Sequence, residues 1–76
     1  MSEISDNLVL ALLKQDLHPP HARNLIQPAG TLQEAQRLCI GAGLHEGYFP
    51  IQALIVRNKL EDEAGLPLTQ GAALDF

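Results

Sequence analysis

The sequence predicts a small all-α single domain of three main helices plus one short helix, with an irregular C-terminal tail. Three observations carry that prediction. Ser5 and Thr31 stand where an N-cap belongs, each ahead of a run of helix formers, so that the hydroxyl accepts from amides left unpaired in the first turn. Behind the caps, apolar residues recur at helical spacing. Proline and glycine clusters at His18-Pro19-Pro20, Pro28-Ala29-Gly30 and Gly41-Ala42-Gly43 break the chain between those runs. At 76 residues there is room for one domain, because so short a chain buries only about 60% of the surface its unfolded form exposes. Two-domain enzymes, full Rossmann domains and TIM barrels are excluded by size. The expected layout is a helical domain over 1–65 and a tail, 66–76, either flexible or packed on the core.

The first helix is expected over about 8–17. Ser5 caps it, Asp6 places a carboxylate at the positive end of the dipole, and Ile4 and Val9 stand at the spacing of a hydrophobic staple. Leu8, Val9, Leu10, Ala11, Leu12 and Leu13 are consecutive, which makes the helix apolar most of the way round and implies burial on several sides. The residue before a proline is disfavoured in helical geometry, so His18-Pro19-Pro20 ends it. A short second helix over 21–27 points Leu25 and Ile26 inward. The third opens on Thr31-Leu32-Gln33-Glu34, a capping box in which Thr31 Oγ1 bonds the Glu34 amide and the Glu34 carboxylate returns to the Thr31 amide. Leu32, Ala35, Leu38 and Cys39 form its apolar stripe, and Gly41 and Gly43 supply the left-handed exit.

The last helix is expected to start with Pro50 at its first position and to stop at Gly65. Ile51, Leu54 and Ile55 form one stripe, with Val56, Leu60 and Ala64 beside it. The β-branched Ile51, Ile55 and Val56 leave a short strand over 51–56 as the rival reading. Helix is preferred, because 58–64 continues in Lys, Leu, Glu and Ala without strand alternation.

Charge narrows the function. Five Lys and Arg against nine Asp and Glu give a net charge of -4, a small acidic protein poorly suited to a polyanion. The most apolar run, 8–13, is far shorter than the ~20 residues needed to span a bilayer, and the acidic N-terminus lacks the basic residues of a secretory signal. With one cysteine, Cys39, no disulfide framework forms within the chain. The expected location is cytoplasmic, with no membrane contact.

Chemistry-bearing constellations are sparse. His18, His21, Cys39 and His45 are potential metal ligands, but their spacing matches no zinc signature and Cys39 falls on an apolar stripe, so no metal or cofactor is expected. The run Gly41-Ala42-Gly43-Leu44-His45-Glu46-Gly47 imitates a dinucleotide fingerprint, yet it follows a capped helix where that motif needs a strand. Cys39 and His45 offer a thiolate–imidazole pair without an oxyanion donor, and the chain is read as no enzyme. A helix-turn-helix reading would place Gln52, Arg57, Asn58 and Lys59 on a recognition helix. The connector before that helix is too long, and Glu61-Asp62-Glu63 would repel phosphate at its end. Those acids sit at the unfavourable end of a helix dipole, as a solvated exit or as a contact for a basic partner.

What remains is surplus apolar surface. Each leucine stranded in water forgoes about 1.5–3 kcal/mol of burial, so a helix apolar on nearly every face implies a subunit or partner interface. The tail ends Leu74-Asp75-Phe76, two large side chains one residue apart, suited either to a groove on another protein or to folding over its own core. The expected function is a non-catalytic protein–protein interaction module (an adaptor, inhibitor or regulatory subunit), acting as a homo-oligomer or on another protein. Leu8, Leu12, Tyr48, Phe49, Leu74 and Phe76 are the candidate contacts. The alternative is a nucleic-acid-binding regulator of helix-turn-helix-like type.

Overall fold

A computed structural model describes residues 4–69, which form four helices: α1 (Asp6–Asp16), α2 (Pro20–Ile26), α3 (Leu32–Gly41) and α4 (Tyr48–Ala64). No strand occurs among the described residues, and 51–56, the rival strand, lies within α4. The first three helices begin where a local signal places them, whereas α4 begins at Tyr48, two residues before the Pro50 start expected from the sequence, because the amide that proline lacks has no partner anywhere in a first turn. Ser5 Oγ accepts from the Leu8 amide, and Ile4 packs against the core beneath that cap. Leu17 is extended and the His18–Pro19 peptide is cis, with α2 starting at Pro20. Thr31 Oγ1 accepts from the Glu34 amide at 3.1 Å. The expected return bond differs by one residue: Glu34 Oε2 accepts from the Gly30 amide, not from that of Thr31.

The two long helical exits share one device. After α3, Gly43 at φ 89° lets its own amide bond Ile40 O while Leu44 N bonds Cys39 O. After α4, Gly65 at φ 73° does the same, with Gly65 N on Asp62 O and Leu66 N on Glu61 O. Paired bonds of this kind close the helix on its orphan carbonyls, and their left-handed residue is one that glycine adopts without a Cβ penalty.

Helix α1 is the centre of the molecule and packs against α2, α3 and α4, while α2 lies on α3 and α3 also touches α4. Its Val9, Leu10 and Leu13, with Leu17 just beyond, join Ala22, Ile26, Ala29, Leu32, Ala35, Cys39, Phe49, Ala53 and Val56 in one core. No polar or charged residue is buried among the described residues. Long polar side chains fasten the layers from outside. Lys14 Nζ donates to Ala29 O at 2.6 Å, Gln27 Nε2 donates to Lys14 O at 3.3 Å, and Arg57 Nη1 donates to Ile4 O at 2.7 Å.

Two stripes read from the sequence differ from the packed faces. Leu38 is exposed, while Leu32, Ala35 and Cys39 of the same stripe are buried. On α4 the packed face is Phe49, Ala53, Val56 and Leu60, and Ile51 and Ile55 point away from it. The physical reason lies in Phe49. It is the largest fully buried side chain, and turning Ile51 and Ile55 inward would rotate its ring into water. Small Ala53, four residues on, leaves room for the neighbouring helix to approach.

A candidate protein-contact surface on the fourth helix

The packed face of α4 follows a four–three–four spacing from Phe49 to Leu60, which stacks those side chains in one line along the helix. The opposite side is therefore committed to solvent. Ile51 is 58% exposed and Ile55, one turn later, is 56% exposed. Ile55 also lines an open groove of about 350 Å³, together with Asp16, His18, Arg23, Gln52, Val56 and Lys59. A second groove of about 350 Å³, lined by Pro28, Glu34, Arg37 and Leu38, lies on the α3 side.

The walls of the first groove are held by bonds between elements. Arg23, on α2, donates from Nε to Leu17 O and from Nη1 to Gln15 O, which satisfies carbonyls left open at the end of α1 and places a cation at the negative end of its dipole. Lys59 Nζ lies 3.4 Å from Asp16 Oδ2, joining α4 to the end of α1 across the groove. Both partners of that pair are about half exposed, so it contributes little stability and leaves a polar edge. The Tyr48 hydroxyl donates to His18 O and ties the start of α4 to the turn after α1. The groove thus combines apolar side chains, Ile55 and Val56, with charged and hydrogen-bonding ones, a mixture that suits a partner carrying both apolar and polar groups.

The candidate contacts named from sequence divide into three groups. Leu8 stands exposed at the start of α1, at 47%. Leu12 and Tyr48 are half-buried against the core. Phe49 is a correction: at 1% exposure it is a core side chain and offers no contact surface, because it joins the buried cluster on the packed face of α4. Leu74 and Phe76 lie outside the described residues. Sequence reasoning missed the orientation of Ile51 and Ile55. The available signal was the unbroken apolar line Phe49, Ala53, Val56, Leu60, against a rival line that passes from Ile51 and Ile55 to Asp62.

The four nucleic-acid candidates do not form a cationic patch. Arg57 is mostly buried, bonded to Ile4 O and to Asp6 Oδ1, and Lys59 faces Asp16. Gln52 lines the groove, and Asn58 is half-buried with a buried side-chain oxygen. Both cations thus spend their charge on carboxylates of α1. Among the acids at the end of α4, Glu61 accepts from the Thr69 amide and hydroxyl, so that residue is neither simply solvated nor free for a basic partner.

The remaining chemistry is sparse. Burial pushes the Cys39 thiol above its usual range, and burial followed by the Cys39 charge does the same to the Tyr48 hydroxyl. A raised thiol is a poor nucleophile at neutral pH, so a thiol-specific reagent should label Cys39 slowly until urea unfolds the chain. As pH rises past the ordinary thiol range, the unfolded chain gives up that proton before the folded one does, and stability falls. His45 Nδ1 accepts from the Gly47 amide at 2.9 Å and holds the turn before α4. Among the described residues no group of three or more His, Cys, Asp or Glu is placed to hold a metal ion. No described helix is long and apolar enough to cross a membrane. No protein-family model, curated protein or solved structure matches the chain.

Proposed function

We propose that the chain is a small non-catalytic protein–protein interaction module, a cytoplasmic adaptor, inhibitor or regulatory subunit that binds through the outer face of α4. The observation that carries this reading is the pair Ile51 and Ile55, each more than half exposed, the second of them lining an open groove of mixed apolar and polar side chains. Large isoleucines left in water forgo about 1.5–3 kcal/mol each, a loss that an interface recovers. A second copy of the chain is the first partner proposed, since a two-fold dimer buries the same patch twice. The non-catalytic part is supported by Cys39, whose thiol is buried and discouraged from ionising. A single free thiol also suits a reducing compartment. The pairing of Arg57 and Lys59 with Asp6 and Asp16 weighs against the nucleic-acid alternative.

Light scattering on a sizing column tests the reading across a hundredfold concentration range. The wild-type mass should rise from 8.3 kDa toward twice that value, and Ile55→Glu should hold the chain at 8.3 kDa. The same variant, used as bait in cell extract, should lose any protein that the wild type captures. The reading fails if Ile55→Glu changes neither the mass nor the captured set.

A further inference from the structure

The groove that Ile55 lines has the spacing of a socket for a helix. From α4 it is lined by Gln52, Ile55, Val56 and Lys59, which stand at i, i+3, i+4 and i+7. Four residues at that spacing surround the side chain that a facing helix inserts in knobs-into-holes packing. Asp16 at the end of α1, His18 in the turn after it and Arg23 on α2 complete the lining. The charge of the groove is uneven. Lys59 and Asp16 face each other at 3.4 Å and offset one another. Arg23 has no such partner: its Nε and Nη1 donate to the carbonyls of Leu17 and Gln15, and it bonds no carboxylate among the described residues. The dipole at the end of α1 offsets about half of a unit charge, so part of the Arg23 charge stays uncompensated. A chain of net charge -4 thus keeps a locally positive groove.

We propose that this groove seats an amphipathic helix of another protein, with one apolar side chain entered among Gln52, Ile55, Val56 and Lys59 and a carboxylate beside it paired with Arg23. The location rests on the contact reading above, and the chemistry of the occupant goes beyond it. Spacing selects a helix. Rows of side chains three and four residues apart on α4 mesh with rows of the same spacing on a partner, whereas an extended segment repeats every two residues. Charge selects an acidic helix, because a lysine in place of the carboxylate would stand against Arg23 with no relief, and like charges brought together lower affinity. Arg23 also suits the task in shape, since a guanidinium presents its donors as a planar fork that matches a carboxylate. Its bonds to Leu17 and Gln15 hold that fork in place before a partner arrives, so little side-chain freedom is lost on binding. The outward line of Ile51 and Ile55 shares only Ile55 with the groove, so a second copy on that line and a helix in the groove compete at one residue.

NMR titration of the full chain tests the socket with two blocked, alanine-based peptides of about 16 residues, long enough to be partly helical. Each carries two leucines four residues apart, and the residue one turn beyond them is Glu in one peptide and Lys in the other. The Glu peptide should shift the Ile55 and Val56 methyl signals and the Arg23 Nε–H signal, and the Lys peptide should bind about fivefold more weakly. Arg23→Gln should erase that preference. Because it also removes bonds at the end of α1, Gln52→Glu serves as a second variant that touches neither bond and should reverse the preference. Leu13 and Ile26 methyl signals that stay in place show each variant to be folded. Equal affinity for the two peptides overturns the proposal, as do shifts confined to other exposed leucines such as Leu8. So does binding of the Glu peptide that weakens as the chain is concentrated a hundredfold, which would assign the groove to a second copy. The contact reading fails separately, when Ile55→Glu leaves both the molar mass and the captured proteins unchanged.

Discussion

Helices α1 and α4 are the two richest in large apolar side chains and dispose of them in opposite ways. Helix α1 reads as apolar almost all round, yet three other helices pack on it and of its leucines only Leu8 is left well exposed. Helix α4 reads as an ordinary amphipathic helix, yet its neighbours α1 and α3 cover one side and leave Ile51 and Ile55 in water. Apolar content does not determine which helix offers surface. The number of neighbours does, since each helix laid alongside can cover only one stripe of another.

The largest test of this contrast sets a packed position against an outward one. Phe49→Ala should cost about 3–5 kcal/mol and Leu13→Ala about 2–5 kcal/mol in urea denaturation, since both leave cavities in a core where they are fully buried. Gly65→Ala comes next. Any side chain there must adopt φ near 73°, and the expected loss is about 1–2 kcal/mol, together with weaker amide-exchange protection around the end of α4. Ser5→Ala should cost about 0.5–2 kcal/mol by removing the bond to the Leu8 amide. A thermal melt of that variant sharpens the contrast between a helix start secured by a side chain and that of α4, which has no such cap. The smallest effect belongs to Ile55→Ser, within about 0.5 kcal/mol under dilute conditions. A cost there matching Leu13→Ala would break the comparison, because it would show Ile55 to be buried in the folded chain.

The helix ends were legible because their causes are local. Ser5, Thr31, the two prolines after His18 and the glycines at 43 and 65 each act on amides or carbonyls within a few residues, and their partners stand next to them in sequence. The misplaced features are those that depend on distant residues. Glu34 reached Gly30 in place of Thr31, a choice between two adjacent amides that only the turn geometry settles. Phe49 was read as a contact because aromatics often anchor interfaces, but the core that buries it is assembled from residues distant in sequence and was not visible in the local pattern. Arg57 and Lys59 looked available until Asp6 and Asp16, far off in sequence, were brought against them.

By itself, then, the sequence determined that this protein is helical, where its first three helices start and where its last one stops, and that it carries more apolar surface than one small core absorbs. Tertiary structure alone decided which face of α4 turns inward and which cations are neutralised. The reason is physical. Caps and turns are settled by bonds spanning three or four residues, whereas a helix with two apolar lines takes its rotation from the neighbours that bury its larger side chain, here Phe49 of α4.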